Sequence, residues 1–259
     1  MVLAEVVFAL GLGDRVVATD LSATFPAEAD ALPEIGYQRA LVSETVLTFE
    51  PTVVLATTLA GPPGAIDELR AVGVPVVVIE QAHDLDAPAA KVRAVAAALG
   101  VPGRGEALAR QIEADLDATI GSTRAIAESS RPRVAFLYLR GENVQQLAGV
   151  GSGIDAIIEA AGGIDVGTEL GVDEFQPLTA EALIEAAPDI VLVTTTGLES
   201  VGGIDGLVAL PAISATPAGE HRRVVAYEDQ LLLGLGPRTP EVLAALVADL
   251  HPATSDGDP

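Results

Sequence analysis

The segment Gly36-Tyr37-Gln38-Arg39-Ala40-Leu41-Val42-Ser43-Glu44 places a tyrosine two residues before an arginine, and a glutamate at the head of an apolar run. A phenolate is a hard oxygen donor suited to ferric iron, and a guanidinium nearby favours the phenolate by opposing charge. The plain alternative for Tyr37 is a loop aromatic packed on the edge of a core. Other chemistry is thinly represented. His83, His221 and His251 are far apart in sequence and form no HExxH pattern. Ser152 lies in Val150-Gly151-Ser152-Gly153, which lacks the GxSxG spacing. No GxGxxG follows a strand-like run and there is no GxxxxGK[ST] phosphate loop. Enzyme chemistry is therefore poorly supported, and acidic pairs carry no information in so acidic a chain.

The elements that must position these residues are set by a chain of 259 residues, of which 49% are hydrophobic and 3% aromatic. That length suits one large α/β domain or two small lobes with aliphatic cores. The net charge of −23 disfavours nucleic acid and anionic membrane surfaces, and makes a basic docking partner the better fit. Absence of Cys excludes disulfides, thiolate metal sites and a cysteine nucleophile. Every basic residue is Arg except Lys91, which reads as coding bias. No stretch reaches the ~18–20 apolar residues of a membrane span. Met1 runs straight into the helical pattern Val2–Leu10 with no leader before it. As written the chain reads as cytoplasmic, or its true beginning is missing.

Val-rich runs bounded by Gly, Pro or Asp predict strands at Arg15–Thr19, Thr52–Thr57, Val74–Glu80, Arg133–Leu139, Ile190–Thr195 and Arg223–Tyr227. Helical patterns fall at Pro62–Val72, Pro88–Leu99, Gly153–Ala161, Thr179–Ala186 and Pro240–Leu250. The alternation predicts α/β layers on mostly parallel sheets. Gly103–Ser129 reads as one long helix with Leu108, Ile112, Leu116 and Ile120 along a face. At ~1.5 Å per residue it would span ~40 Å, the length of a strut between two lobes. Glu44–Thr58 is echoed 137 residues later by Glu181–Thr195, with Pro51 matched by Pro188. Each copy is a short helix, a proline turn and a buried strand, which implies two like-folded lobes. The expected division is residues 1–101, a linking helix at 102–131, a second lobe at 132–251, and a disordered polar tail at 252–259.

Ligands of such lobes bind beyond the carboxyl ends of the strands. Four loops fall there: Ala60–Pro63, Gln81–Asp84 with His83, Arg140–Glu142, and Gly234–Thr239. Loops on facing edges of two lobes make a cleft that closes on a small molecule. His83 is the one histidine placed there, and its alternative is an ordinary polar loop residue.

These residues together resemble the substrate-binding subunits of heme ABC importers, in the long-helix class that also serves cobalamin and ferric siderophores. The likeness runs nearly end to end. It rests on Ala9–Val17, Leu32–Leu41, Ala60–Pro63, Ala160–Gly163, Pro177–Thr179 and Leu231–Pro240, with Gly36-Tyr37-x-Arg39-x-Leu41 the most specific element. The resemblance implies two Rossmann-like lobes joined by a single long helix (a class III periplasmic binding protein), with heme edge-on in the cleft. It implies that Tyr37 ligates ferric iron and that Arg39 hydrogen-bonds the phenolate. It also implies that Glu44 and Glu181, one per lobe, pair with basic pockets on the permease dimer. The alternative for each glutamate is an acid favoured at a helix N-terminus.

Departures from the family pattern matter. Where some members bring a histidine, this chain has Arg140, which cannot ligate iron and is free to pair with a heme propionate or with the phenolate. Where some bring a second tyrosine, it has Gly236, and Arg238 remains. Tyr138 and Tyr227 end strands and could stack on porphyrin, with core packing as the alternative for each. The family starts one strand earlier, so the first strand of lobe 1 is expected to be missing here. The reading is a monomeric, extracytoplasmic heme-capture protein, periplasmic or a cell-surface lipoprotein, that hands heme to a permease without turnover. The alternatives are a siderophore- or cobalamin-binding member of the class, and a truncated α/β enzyme.

Overall fold

Valine-rich segments become strands where a neighbouring edge is available to pair with them. In the computed structural model, which describes residues 2–141, 144–177 and 179–252, these strands fall in two units. The first comprises residues 1–82, 86–114 and 234–238, the second 83–85, 115–233 and 239–259. Glu142, Leu178 and the tail after Pro252, all named above, lie outside the described residues.

In the first unit, β1 (Val54–Thr57) and β2 (Val76–Ile79) pair in parallel, Val54 opposite Val76 and Thr57 opposite Ile79. The crossover is the helix Pro63–Ala71, which starts on a proline and buries Ala65, Ile66 and Leu69. The helix Val2–Ala9 packs on the helix Ala87–Ala98, whose Val92, Val95 and Ala96 are fully buried. Gly105 lets the next helix approach closely, since a Cβ there would lie 2.3 Å from that of Ala96.

The second unit holds a six-stranded sheet of β3 (Arg133–Arg140), β4 (Val144–Ala148), β5 (Ile164–Asp165), β6 (Phe175–Pro177), β7 (Ile190–Thr194) and β8 (Val224–Tyr227). Its order is β6-β4-β3-β7-β8, with β5 also on β3. β7 is buried along its whole length. Alternation along β3 and β7 puts Ala135, Leu137, Leu139, Val191 and Val193 on one face, against Leu183, Leu207 and Ile213. Val134, Phe136, Ile190 and Leu192 are buried on the other.

The duplicated segment is a repeated structure. The helix Ser43–Leu47 leads into β1 and the helix Ala180–Ala186 leads into β7. In both copies the residue immediately before the proline is a non-glycine in the left-handed region, Glu50 at φ 46° and Ala187 at φ 47°. Both strands end in a buried threonine whose hydroxyl accepts a backbone N–H of the following loop, Thr57 from Leu59 and Thr194 from Gly197.

Two expectations need correction. Arg15–Thr19 is not a strand: Gly13–Arg15 is a 3-10 turn, and only Thr19 makes a bridge, to Glu34. Valines do not form a strand without a partner edge. Here Val16–Ala18 and the unpaired edge of β1 both border an apolar hollow of about 360 Å³. The long helix runs Pro102–Thr123, not to Ser129. The buried Thr123 hydroxyl bonds the carbonyls of Ile120 and Ala160, and the chain turns there. Its buried side is Ala109, Ile112 and Leu116, with Gly105 one turn earlier. The sheet of the second unit is mostly parallel, as expected: β3 pairs in parallel with β5 and β7, and β7 with β8, while β4 pairs antiparallel with both β3 and β6. Among the described residues, no helix is long and apolar enough to cross a membrane.

Candidate functional site

Tyr37 stands on a loop fastened from two sides. Gly36 takes φ 87°, a conformation glycine adopts without cost, and accepts the Leu21 N–H. The Gly61 N–H donates to Gln38 O, and the Leu41 N–H donates to Gly61 O at 2.8 Å. The Thr57 hydroxyl, at the end of β1, reaches the Gln38 side chain. Beneath the loop, Ile35 and Leu41 pack on Ala65 and Ile66 of the crossover helix. These apolar anchors on either side leave Tyr37 itself 48% exposed. It is not a core-edge aromatic, and among the described residues its phenol has no hydrogen-bond partner. Arg39 is also exposed, and no hydrogen bond joins it to Tyr37. The loop thus presents one oxygen donor and one cation to solvent on a backbone that cannot easily shift.

Arg238 belongs to the same unit but is engaged. Its guanidinium forms a two-pronged pair with the buried Glu5, at 3.1 and 3.2 Å, and stacks 3.6 Å above the Phe25 ring. At Gly236 a Cβ would lie 2.2 Å from Val2. A tyrosine at this position would therefore have to push the Val2 side chain aside. Glu44 is exposed in the first turn of its helix, beside Ser43, which bonds both Glu44 and Glu68.

In the second unit, Arg140 ends β3. It donates to Asp229 at 2.6 Å and to Leu139 O, and its guanidinium lies 4.5 Å from the Tyr138 ring centroid. Tyr138 in turn meets Phe175 edge to face at 6.0 Å. The Tyr227 hydroxyl donates to Asp249 at 2.5 Å. Burial first, and then that carboxylate, push the Tyr227 phenol well above its ordinary range. His83 Nδ1 lies 2.9 Å from Gly151 O. Glu181 is exposed at the second helical position of Ala180–Ala186, as Glu44 is in its own helix.

Two partners lay beyond sequence reasoning. Asp229, which neutralises Arg140, and Asp249, which holds Tyr227, were hidden because acids are too common in this chain to single any out. Lys91 carried a usable signal. It is the one lysine in the sequence, and it is buried. Among the described residues no group of three or more His, Cys, Asp or Glu could hold a metal ion. Chemically, the Tyr37 loop offers one phenol oxygen beside the Arg39 cation, which has no partner among the described residues. That suits completing the coordination of a metal that arrives with its other ligands.

Comparison with known proteins gives the class. The model of the periplasmic binding protein family matches residues 3–231. The solved periplasmic heme-binding protein RhuT from Roseiflexus sp. RS-1, in apo form, is 47% identical. That match covers 96% of this chain and 95% of that one, with a TM-score of 0.93. Periplasmic heme-binding protein BhuT, in complex with two hemes, is 40% identical over 96% and 94% of the two chains, with a TM-score of 0.88. An uncharacterised ABC transporter substrate-binding lipoprotein, YvrC of Bacillus subtilis (strain 168), is 24% identical over 96% of this chain and 77% of its own length. The chain belongs to the periplasmic binding protein family, with the fold of its class III members. That family and these neighbours are binding proteins rather than enzymes.

Proposed function

We propose that this protein captures ferric heme outside the cytoplasm, with the Tyr37 phenolate as iron ligand, and delivers it to an ABC permease. The observation that carries the reading is the exposed phenol of Tyr37, without a partner among the described residues, on a loop pinned at Gly36, Gln38 and Leu41. A lone oxygen donor cannot hold a bare ion, but it can fill the axial position of an iron already held by a porphyrin. The heme-binding solved structures, at 47% and 40% identity, support the same ligand.

Arg39 is the cation that stabilises the bound phenolate or a propionate. Arg140, already paired with Asp229, contributes mainly by holding Tyr138 in place. Tyr138 offers a ring surface near the end of β3. Tyr227 and Arg238 serve structure through Asp249 and Glu5, and His83 fixes the Gly151 turn. Glu44 and Glu181, at equivalent helix positions, are the contacts to the two permease subunits, and the capture protein acts as a monomer.

Hemin titration followed by absorption tests the reading. The parent protein should give a high-spin ferric tyrosinate spectrum. Tyr37→Phe should lose it and weaken binding by more than about 100-fold, beyond the usual effect of an outer-shell change. An unchanged spectrum in the variant would sink the assignment. A second reading has one observation behind it: vitamin B12-binding proteins of Yersinia match at 29% identity over 79 residues, 30% of this chain. Retention of cobalamin but not hemin by the purified protein would favour it.

A further inference from the structure

We propose that Lys91 is a positioning residue for ligand capture: its buried ammonium clamps the strap Gly234–Arg238 onto the unit that carries Tyr37. The strap has an unusual place in the chain. Its five residues belong to the first unit, while the segments on either side, ending at Leu233 and resuming at Thr239, belong to the second. Something must hold so short a piece against its own unit, and Lys91, Val2 and Glu5 all bear on it.

The Lys91 ammonium donates to Gly234 O at 2.8 Å and to Leu235 O at 3.1 Å. Leu235 sits in the left-handed region at φ 45°, buried, which a leucine adopts only under constraint. Gly236 presses on Val2, and Arg238 closes the strap on Glu5.

Lys91 is 2% exposed on the helix Ala87–Ala98, among Ala, Val and Pro. Taking an ammonium out of water is costly, and an apolar side chain at that position would avoid the cost. What an apolar residue could not do is satisfy two inward-facing carbonyls. Without a donor they would be buried and unpaired, and the turn at Leu235 would reopen toward water. All thirteen other cationic residues of the chain are arginine. A compact ammonium suits two adjacent carbonyls converging on one point, where a planar guanidinium does not. The strap also carries Arg238, so its register sets the Glu5 pair and the stacking on Phe25.

The consequence for ligand capture rests on the heme reading above; the clamp itself does not. The series Lys91→Gln and Lys91→Met separates them, with the glutamine keeping a donor for one carbonyl should the methionine variant not fold. In the apo protein, backbone hydrogen exchange across 234–238 should speed up by about tenfold in Lys91→Met and by less in Lys91→Gln. Exchange in the helices Val2–Ala9 and Ala87–Ala98 should stay as in the parent. With hemin, dissociation should quicken by a similar factor while the tyrosinate spectrum keeps its shape. Unchanged strap exchange in both variants would overturn the clamp, as would a uniform rise across the whole first unit. If the strap loosens but hemin dissociation does not change, the clamp stands and its role in capture is overturned. If the parent itself binds no hemin, the functional reading fails while the exchange result still decides the clamp.

Discussion

At the scale of single residues, what separates the candidate ligand groups is whether their charge is already answered. Arg39 is exposed and has no partner among the described residues, whereas Arg140 is held by Asp229 and Arg238 by Glu5. A charge-assisted hydrogen bond to a ligand is worth about 1.5–3 kcal/mol, but a guanidinium that must first leave a carboxylate gives most of that back. Arg39→Ala should therefore weaken hemin binding by about tenfold. Arg140→Ala should change it by less than about threefold, the range of a partly exposed ion pair. Parallel hemin titrations of the two variants check this, and the reverse order would move the anion contact to the second unit. The sequence showed both arginines but not their carboxylates, because Asp229 is 89 residues from Arg140 and Glu5 is 233 from Arg238.

At the scale of elements, periodicity and proline carried much of the fold. The helices from Pro63, Ala87, Ile154, Ala180 and Thr239 lie within a residue or so of their expected ends, since proline and glycine mark those ends in the sequence. The misses have physical causes. β4 reads Val-Gln-Gln-Leu-Ala, too polar to stand out, and is a strand because β3 and β6 flank it. Val16–Ala18 has the composition of a strand but no strand paired with it among the described residues.

The helices Ala87–Ala98 and Pro102–Thr123 are further tied by Arg93, which bonds both Glu106 and Glu113, with Arg110 also on Glu106. Hydrogen bonds from Arg93 and then Arg110 hold the Glu106 carboxyl down at about 2, below its ordinary 4.5. A depressed carboxylate stabilises the fold above its unfolded value and loses that contribution as pH falls through the folded one. Thermal melts from pH 6 down to 2 should show the parent losing its advantage over Glu106→Gln between about pH 4.5 and 2. A gap that stays constant across that window would mean the network contributes nothing.

At the scale of the whole molecule, the net charge of −23 opposes an anionic ligand. Hemin bears two propionates, so its approach to the protein is slowed by the protein's own field unless arginines offset it locally. Between about 0.01 and 0.15 M salt the Debye length falls from about 30 to about 8 Å, and the hemin association rate should rise several-fold. Stopped-flow measurements at the two salt concentrations test this. A rate that fell with salt would show that Arg39 and its neighbours steer the ligand in.

The sequence by itself determined the α/β class, the repeated helix–proline–strand unit and the loop bearing Tyr37. Those features depend on local spacing: the alternation of a strand, proline at a helix start, glycine where φ must be positive. Tertiary structure alone decided which cations are free, that the single lysine is buried beneath the strap, and that Val16–Ala18 stays out of the sheet. Each of those depends on a partner brought from far along the chain, and a carboxylate, carbonyl or strand edge leaves no mark on the residues it will meet.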